Sequence, residues 1–127
     1  MLLTHSSGIA WPQTYEEALG LWEHFEPDQA PHPSEWVPQF LIPSGKYYNP
    51  RIWKLNKPAD FELYSNIGSN VVAYIVEQET GQSFREYCKE NIFLPLDMQN
   101  TSYNYSDLDI SKIANLYHDD NTIHPFF

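Results

Sequence analysis

The stretch from Ile67 to Glu79 constrains this chain more than any other. Val71, Val72, Ile75 and Val76 recur at helical spacing and make a wide apolar stripe. A helix with such a stripe gains stability by laying it against other elements, out of water. Gly81 stands just beyond, where a glycine can take the left-handed backbone that ends a helix. The pattern predicts a helix over 67–79 that is capped by Gly81.

Weaker signals surround it. Thr14 with Glu17 has the pattern of a capping box, in which each side chain satisfies an exposed amide of the first turn. Tyr15, Ala18, Leu19, Trp22 and Phe25 then share one face, so a helix is expected from Tyr15 to about Phe25. Residues 26–34 contain Pro27, Pro31 and Pro33 and read as a loop. Ser34 is expected to open a short helix that buries Trp36, Val37, Phe40 and Leu41, followed by a turn at Pro43-Ser44-Gly45. Lys46 to Leu63 has no clean period and reads as an extended excursion. Ser83 with Glu86 repeats the capping-box pattern and predicts a helix from Phe84 to about Asn91, with Phe84, Tyr87 and Cys88 on one side and Pro95 stopping any continuation. A short helix or strand is expected near Lys112–Tyr117. The expected architecture is mainly α, helices joined by long loops, with little strand.

Composition narrows the function classes. Hydrophobic residues make up 42% of the 127 and aromatics 16%, enough for a packed core and unlike a disordered chain. The formal net charge of −10 repels phosphate backbones, so nucleic acid is not an expected partner. Cys88 is the only cysteine, so no disulfide can form within the chain; beside apolar helix positions it reads as a small packed hydrophobe rather than a catalytic thiol. No run approaches the ~18 apolar residues of a membrane span, and Met1-Leu2-Leu3-Thr4-His5 has neither the basic region nor the apolar length of a signal peptide.

Three segments carry a family resemblance. Leu2-Leu3-Thr4-His5-Ser6-Ser7-Gly8 resembles an "LLTHTSG" segment. Tyr64-Ser65-Asn66 opens a second, running through Tyr74-Ile75-Val76-Glu77 to Thr80-Gly81. Glu90-Asn91-Ile92-Phe93-Leu94-Pro95-Leu96-Asp97-Met98-Gln99-Asn100-Thr101 resembles "enIfxPLGMxnT". In this order and spacing the three are similar to the β-lactamase-related, penicillin-recognising serine hydrolases: class C β-lactamases, D-alanyl-D-alanine carboxypeptidases and related esterases. The resemblance covers about residues 2–117. It implies that residues 1–127 are a partial domain, the helical region of the β-lactamase/transpeptidase-like α/β fold, lacking most of the flanking antiparallel sheet. Two positions depart from the pattern: Asp97 replaces the glycine of "PLGM", and Ala59 the glycine of the turn before Tyr-Ser-Asn. Both departures suggest altered turns.

The resemblance also implies chemistry. Family members acylate a serine in a Ser-x-x-Lys motif, one helical turn separating the two so that the lysine can take or relay the serine's proton. The tyrosine of Tyr-x-Asn lies beside them. A free phenol, with a pKa of about 10, is a poor base at neutral pH, but a neighbouring ammonium favours its anion. Tyr64 is thereby implied as proton shuttle, and Asn66 as hydrogen-bond partner of the lysine and of the substrate. Ser65 is the variable middle residue with a backbone role; taken without the flanking segments, Tyr-Ser-Asn before an amphipathic helix reads instead as a buried tyrosine and an N-cap. Yet no serine in the 127 residues is followed at the third position by lysine, and no glycine completes Lys-Thr-Gly or His-x-Gly. One motif of three is present. Without an activated nucleophile Tyr64 has nothing to deprotonate, so these residues alone are not expected to turn over substrate by this mechanism.

Other candidates have simpler readings. His118-Asp119-Asp120 with His124 fits no standard metal spacing and reads as a solvated loop. His24 and His32 flank the proline-rich loop and read as surface residues. His5 is implied to be structural, near the active-site floor. Tyr47, Tyr48, Trp53 and Phe61 either pack or line a cleft; Tyr48 joins Asn66 as the expected substrate contact. Neither a metal nor a cofactor is expected. The sequence is thus expected to be a fragment of a serine hydrolase whose complete form acts on a small-molecule amide or ester. The alternative is a non-catalytic binding domain, or a half that assembles with a complementary chain. Either way, an apolar face is expected to lie exposed where the absent sheet would pack.

Overall fold

The computed structural model describes residues 1–10, 28–54, 57–60 and 62–124. The helix expected over 15–25, its capping box, His24 and Phe61 lie outside the described residues. Among those described, the α-helices are α1 (Pro33–Trp36), α2 (Pro38–Leu41), α3 (Asn66–Thr80) and α4 (Phe84–Cys88), and the strands are β1 (Leu116–Tyr117) and β2 (Ile123–His124). Among the described residues helix predominates over strand, as expected. The described residues divide into two compact units, residues 1–10 with 31–84 and residues 28–30 with 85–124.

In the first unit α3 has the caps its sequence calls for. Ser65 is extended, and its Oγ accepts the Gly68 amide at 3.0 Å, satisfying one exposed donor of the first turn. Gly81 takes φ 69° and donates to the Glu77 carbonyl at 2.9 Å, a left-handed C-terminal cap. The buried face differs from the predicted stripe. Ile67, Gly68, Ala73 and Glu77 are buried, Val71 packs partly against the core, and Ile75 is 45% exposed. The physical reason is Glu77. Its carboxylate accepts the Ser34 amide at 2.8 Å and the Phe84 amide at 2.9 Å, so this charged side chain turns inward and rotates the buried face away from Ile75.

Ser34 therefore does not open a helix. Pro33 is the first residue of α1, with His32 before it, and Glu35 reaches back to the His32 amide at 3.4 Å. Pro38 starts α2 directly, so the expected single short helix is two one-turn helices joined at Val37. A proline lacks the amide needed to continue the first turn into the second. Val37 and Phe40 are buried as predicted. Phe40 joins Ile9, Ile52 and Ile67 in the core, and Leu2, Trp36, Leu41, Tyr47 and Val71 pack around them. The Phe40 ring lies 4.4 Å from Trp36 and 5.1 Å from Tyr47, centroid to centroid. Burying one such side chain is worth about 1.5–3 kcal/mol.

The described residues of 46–63 follow an irregular course of turns, with a 3-10 turn at Pro50–Ile52, rather than one extended run. They lie along residues 5–10: Ala10 donates to Ile52, Lys54 to Gly8, Ala59 to Ser6 and Leu63 to His5, over 2.7–3.0 Å. Ile9 and Trp53 form an antiparallel bridge. The Thr-His-x-Ser-Gly segment is thus tied to the chain that leads into α3.

In the second unit the residues of α4 from Arg85 to Cys88 run into a π-helical turn, Lys89–Phe93. Arg85 donates to the Ala30 carbonyl at 2.8 Å and to Asn104 at 3.4 Å, and the Asp28 carboxylate accepts the Tyr105 and Ser106 amides. Lys89 pairs with Asp107 at 3.0 Å. Cys88 is buried as expected, and burial pushes its thiol up despite a hydrogen bond with Tyr103. β1 and β2 form a small antiparallel hairpin with Leu116 opposite His124 and Tyr117 opposite Ile123. Leu94 and Leu96 are each 67% exposed, and Ile110, Leu116, Tyr117 and Ile123 are exposed too.

The two departures from the family pattern fall on special backbone. Ala59 has φ 74° and Asp97 φ 55°, the left-handed region. Neither substitution moves its residue out of a glycine-type conformation. Each instead bears a strain of roughly 1–2 kcal/mol that glycine avoids, and aspartate tolerates it better than alanine.

Candidate functional site

Tyr64 and Asn66 flank the N-cap of α3. Ser65 between them is extended, with φ −150° and ψ 112°. Side chains two residues apart along an extended stretch point to the same side. The structure brings the two together: the Tyr64 hydroxyl donates to Oδ1 of Asn66 at 2.5 Å. Tyr64 is 61% exposed, so the phenol stands open to solvent at the start of the helix. Asn66 is held from its other side as well, its carbonyl accepting Asn70 Nδ2 at 3.0 Å.

Ser65 is the N-cap that the simpler reading of the motif offers, but Tyr64 is exposed and not the buried tyrosine of that reading. Ser65 is buried, its hydroxyl caps the helix, and its amide donates to Nδ1 of His5 at 3.2 Å. The His5 ring lies 4.6 Å from the Tyr64 ring at 42° between planes. Below this, Gly68 approaches Ser7: a Cβ there would stand 3.4 Å from Ser65 Cβ and 3.8 Å from Ser7 Oγ. His5 is the residue whose part at this site the sequence understated. A histidine five residues into the chain, 60 positions from Ser65, gives no local signal of contact with it.

Tyr48 is half-buried in the turn after Gly45, where its amide donates to the Gly45 carbonyl at 3.2 Å. Among the described residues no hydrogen bond or ring contact joins Tyr48 to Tyr64 or Asn66. Tyr47, its neighbour, packs on Phe40 and carries Lys46 over its ring at 4.6 Å.

A groove of about 240 Å³ opens at the other end of α3, lined by His32, Ser34, Glu77, Gln78, Gly81, Gln82 and Ser83. Glu77 is about three turns, roughly 16 Å, along the helix from Asn66, so this groove is no part of the Tyr64–Asn66 face. Burial works to raise the Glu77 carboxyl, but the amides of Phe84 and Ser34 and nearby His32 outweigh it and hold the group below the usual glutamate range. Both oxygens are already taken up in holding the fold. In the hairpin, Asp120 accepts the Thr122 amide at 3.0 Å and hydroxyl at 2.6 Å, and no metal-holding group of His, Cys, Asp and Glu occurs among the described residues. No helix among them is long and apolar enough to cross a membrane.

A family model described as Beta-lactamase matches residues 1–125. No curated protein and no solved structure matches the chain.

Proposed function

This chain belongs to the beta-lactamase family, and from that premise we propose that it carries the Tyr-x-Asn wall of a serine hydrolase active site. The reading rests on one observation above all: an exposed phenol at the N-terminus of α3 is hydrogen-bonded at 2.5 Å to the side chain of Asn66. Two of the three motif positions face each other, and the middle one caps the helix that bears them.

In this proposal the nucleophilic Ser-x-x-Lys and the third motif come from polypeptide other than these 127 residues. The serine oxygen attacks the carbonyl of a small-molecule amide or ester. Its proton passes by way of the lysine and Tyr64 to the departing amine or alkoxide, leaving an acyl-serine. Water then attacks the acyl carbon, its proton returns along the same relay to the serine oxygen, and the acid is released. At rest the phenol proton lies toward Asn66, so Tyr64 enters the relay when a neighbouring lysine competes for that bond. Asn66 is then free to hold the lysine or the substrate's amide, and Tyr48 lines the substrate's approach. No cofactor takes part.

The experiment begins with the DNA on both sides of the coding segment. An in-frame Ser-x-x-Lys upstream, with ester or nitrocefin turnover by the longer chain and an acyl adduct by mass spectrometry, is the expected result. A stop codon there, with a stable chain and no turnover, would overturn it in favour of a non-catalytic binding domain.

A further inference from the structure

His5 touches the candidate site twice, through different parts of its ring. Its Nδ1 accepts the Ser65 amide at 3.2 Å, and its face lies against Tyr64 with centroids 4.6 Å apart. An imidazole nitrogen that accepts a hydrogen bond carries no proton, so the contact selects the neutral ring protonated at Nε2. The backbone adds a third tie, because the His5 carbonyl accepts the Leu63 amide at 2.7 Å. The amides on both sides of Tyr64, those of Leu63 and Ser65, are therefore bound to one residue. That residue is itself locked in place. His5 has φ 52°, its amide donates to Leu2 at 3.1 Å, and the neighbouring Ser6 amide donates to Met1 at 2.9 Å.

Tyr64 is largely exposed, and among the described residues its hydroxyl bonds to Asn66, two residues along the chain, which does not fix the direction of the pair. A phenol serves as a proton relay only if it is held within a few tenths of an ångström of its partners.

We propose that His5, as the neutral Nε2-protonated tautomer, is the positioning residue of Tyr64: it clamps the backbone on both sides of the tyrosine and sets the direction of its ring. The role rests on the proposed function of Tyr64 for its purpose but not for its geometry. His5 itself exchanges no proton with substrate.

The test uses the full 127-residue chain, labelled with ¹⁵N and ¹³C, and compares it with His5→Phe, which keeps a ring without the acceptor, and His5→Asn, which keeps a short acceptor without the ring. The native chain should show His5 with its proton on Nε2. His5→Phe should speed hydrogen exchange at the Ser65 amide by roughly tenfold, the scale of one lost hydrogen bond, with the amides of Ala73 and Glu77 unchanged. His5→Asn should restore much of the Ser65 protection while the Tyr64 ring resonances still lose their shift. A proton on Nδ1 in the native chain, or Tyr64 resonances indifferent to both variants, overturns the proposal; the tautomer measurement decides even if a variant fails to fold. Turnover is not read here. Loss of the catalytic reading, by an inactive longer enzyme, would leave these spectra unchanged, so the two failures are separable.

Discussion

The carboxylate of Glu77 accepts the backbone amide of Ser34 at 2.8 Å across 43 residues of sequence. A second oxygen takes the Phe84 amide at 2.9 Å. Within the first unit one charged side chain thus ties α3 to the start of α1 and to Phe84, and it is only 7% exposed. Removing it would leave two amides to find water. Glu77→Ala is expected to cost about 2–3 kcal/mol, the range for buried hydrogen bonds to a charged group, measured by urea denaturation.

The same residue sets a pH dependence. The folded state holds the Glu77 carboxyl below its ordinary value, with the Phe84 and Ser34 amides and His32 overcoming the opposite pull of burial. A lowered folded-state pKa gives stability that is fully present above the unfolded value of about 4.3 and lost as pH falls through the folded one. The melting temperature of the native chain should therefore exceed that of Glu77→Gln at pH 7, and the gap should close below about pH 4. A gap that widens on acidification would refute this.

Ala59 and Asp97 sit where glycine would be at ease, with φ 74° and 55°. Ala59→Gly should stabilise the chain by about 1 kcal/mol. Asp97→Gly should gain less, since aspartate tolerates this conformation and its Oδ1 accepts Gln99 Nε2 at 2.7 Å. Thermal melts of the two single variants would rank them.

Gly45 has no room for a side chain. A Cβ there would stand 2.6 Å from the Gln39 carbonyl carbon, which is backbone and cannot swing aside. Gly45→Ala is expected to destabilise by about 1–3 kcal/mol, the range of overpacking, and to loosen the Tyr47 amide that donates to Gln39 at 3.0 Å. Hydrogen exchange at Tyr47 measures the second effect.

Tyr64→Phe should separate chemistry from folding. The residue is exposed and loses a hydroxyl bonded to Asn66, two residues along the chain, so stability should change by less than about 0.5 kcal/mol. In the longer enzyme proposed above, kcat should fall by roughly 10²–10⁴, the contribution of positioned proton transfer. Ser65→Ala should do the reverse at this site, costing about 1 kcal/mol of stability through the lost cap. Denaturation and steady-state kinetics on the same preparations would show the contrast.

What the sequence alone determined was local or carried by family resemblance. The long helix and its Gly81 cap, the buried Val37 and Phe40, the packed Cys88 and the family itself were all legible, because spacing, capping chemistry and short motifs act over a few residues. Tertiary structure decided which face of α3 is buried. Val71, Val72, Ile75 and Val76 looked like the inward stripe, but two distant amides drew Glu77 inside and left Ile75 exposed. Only the folded chain brings His5 to Ser65 across 60 positions. The conformations at Ala59 and Asp97 likewise follow from how the chain must turn, not from those residues' own preference. Hydrogen bonds between segments far apart leave no periodic trace in a sequence. Tyr64 and Asn66 were readable as a motif, while the hold that His5 and Ser65 exert on them is a property of the fold.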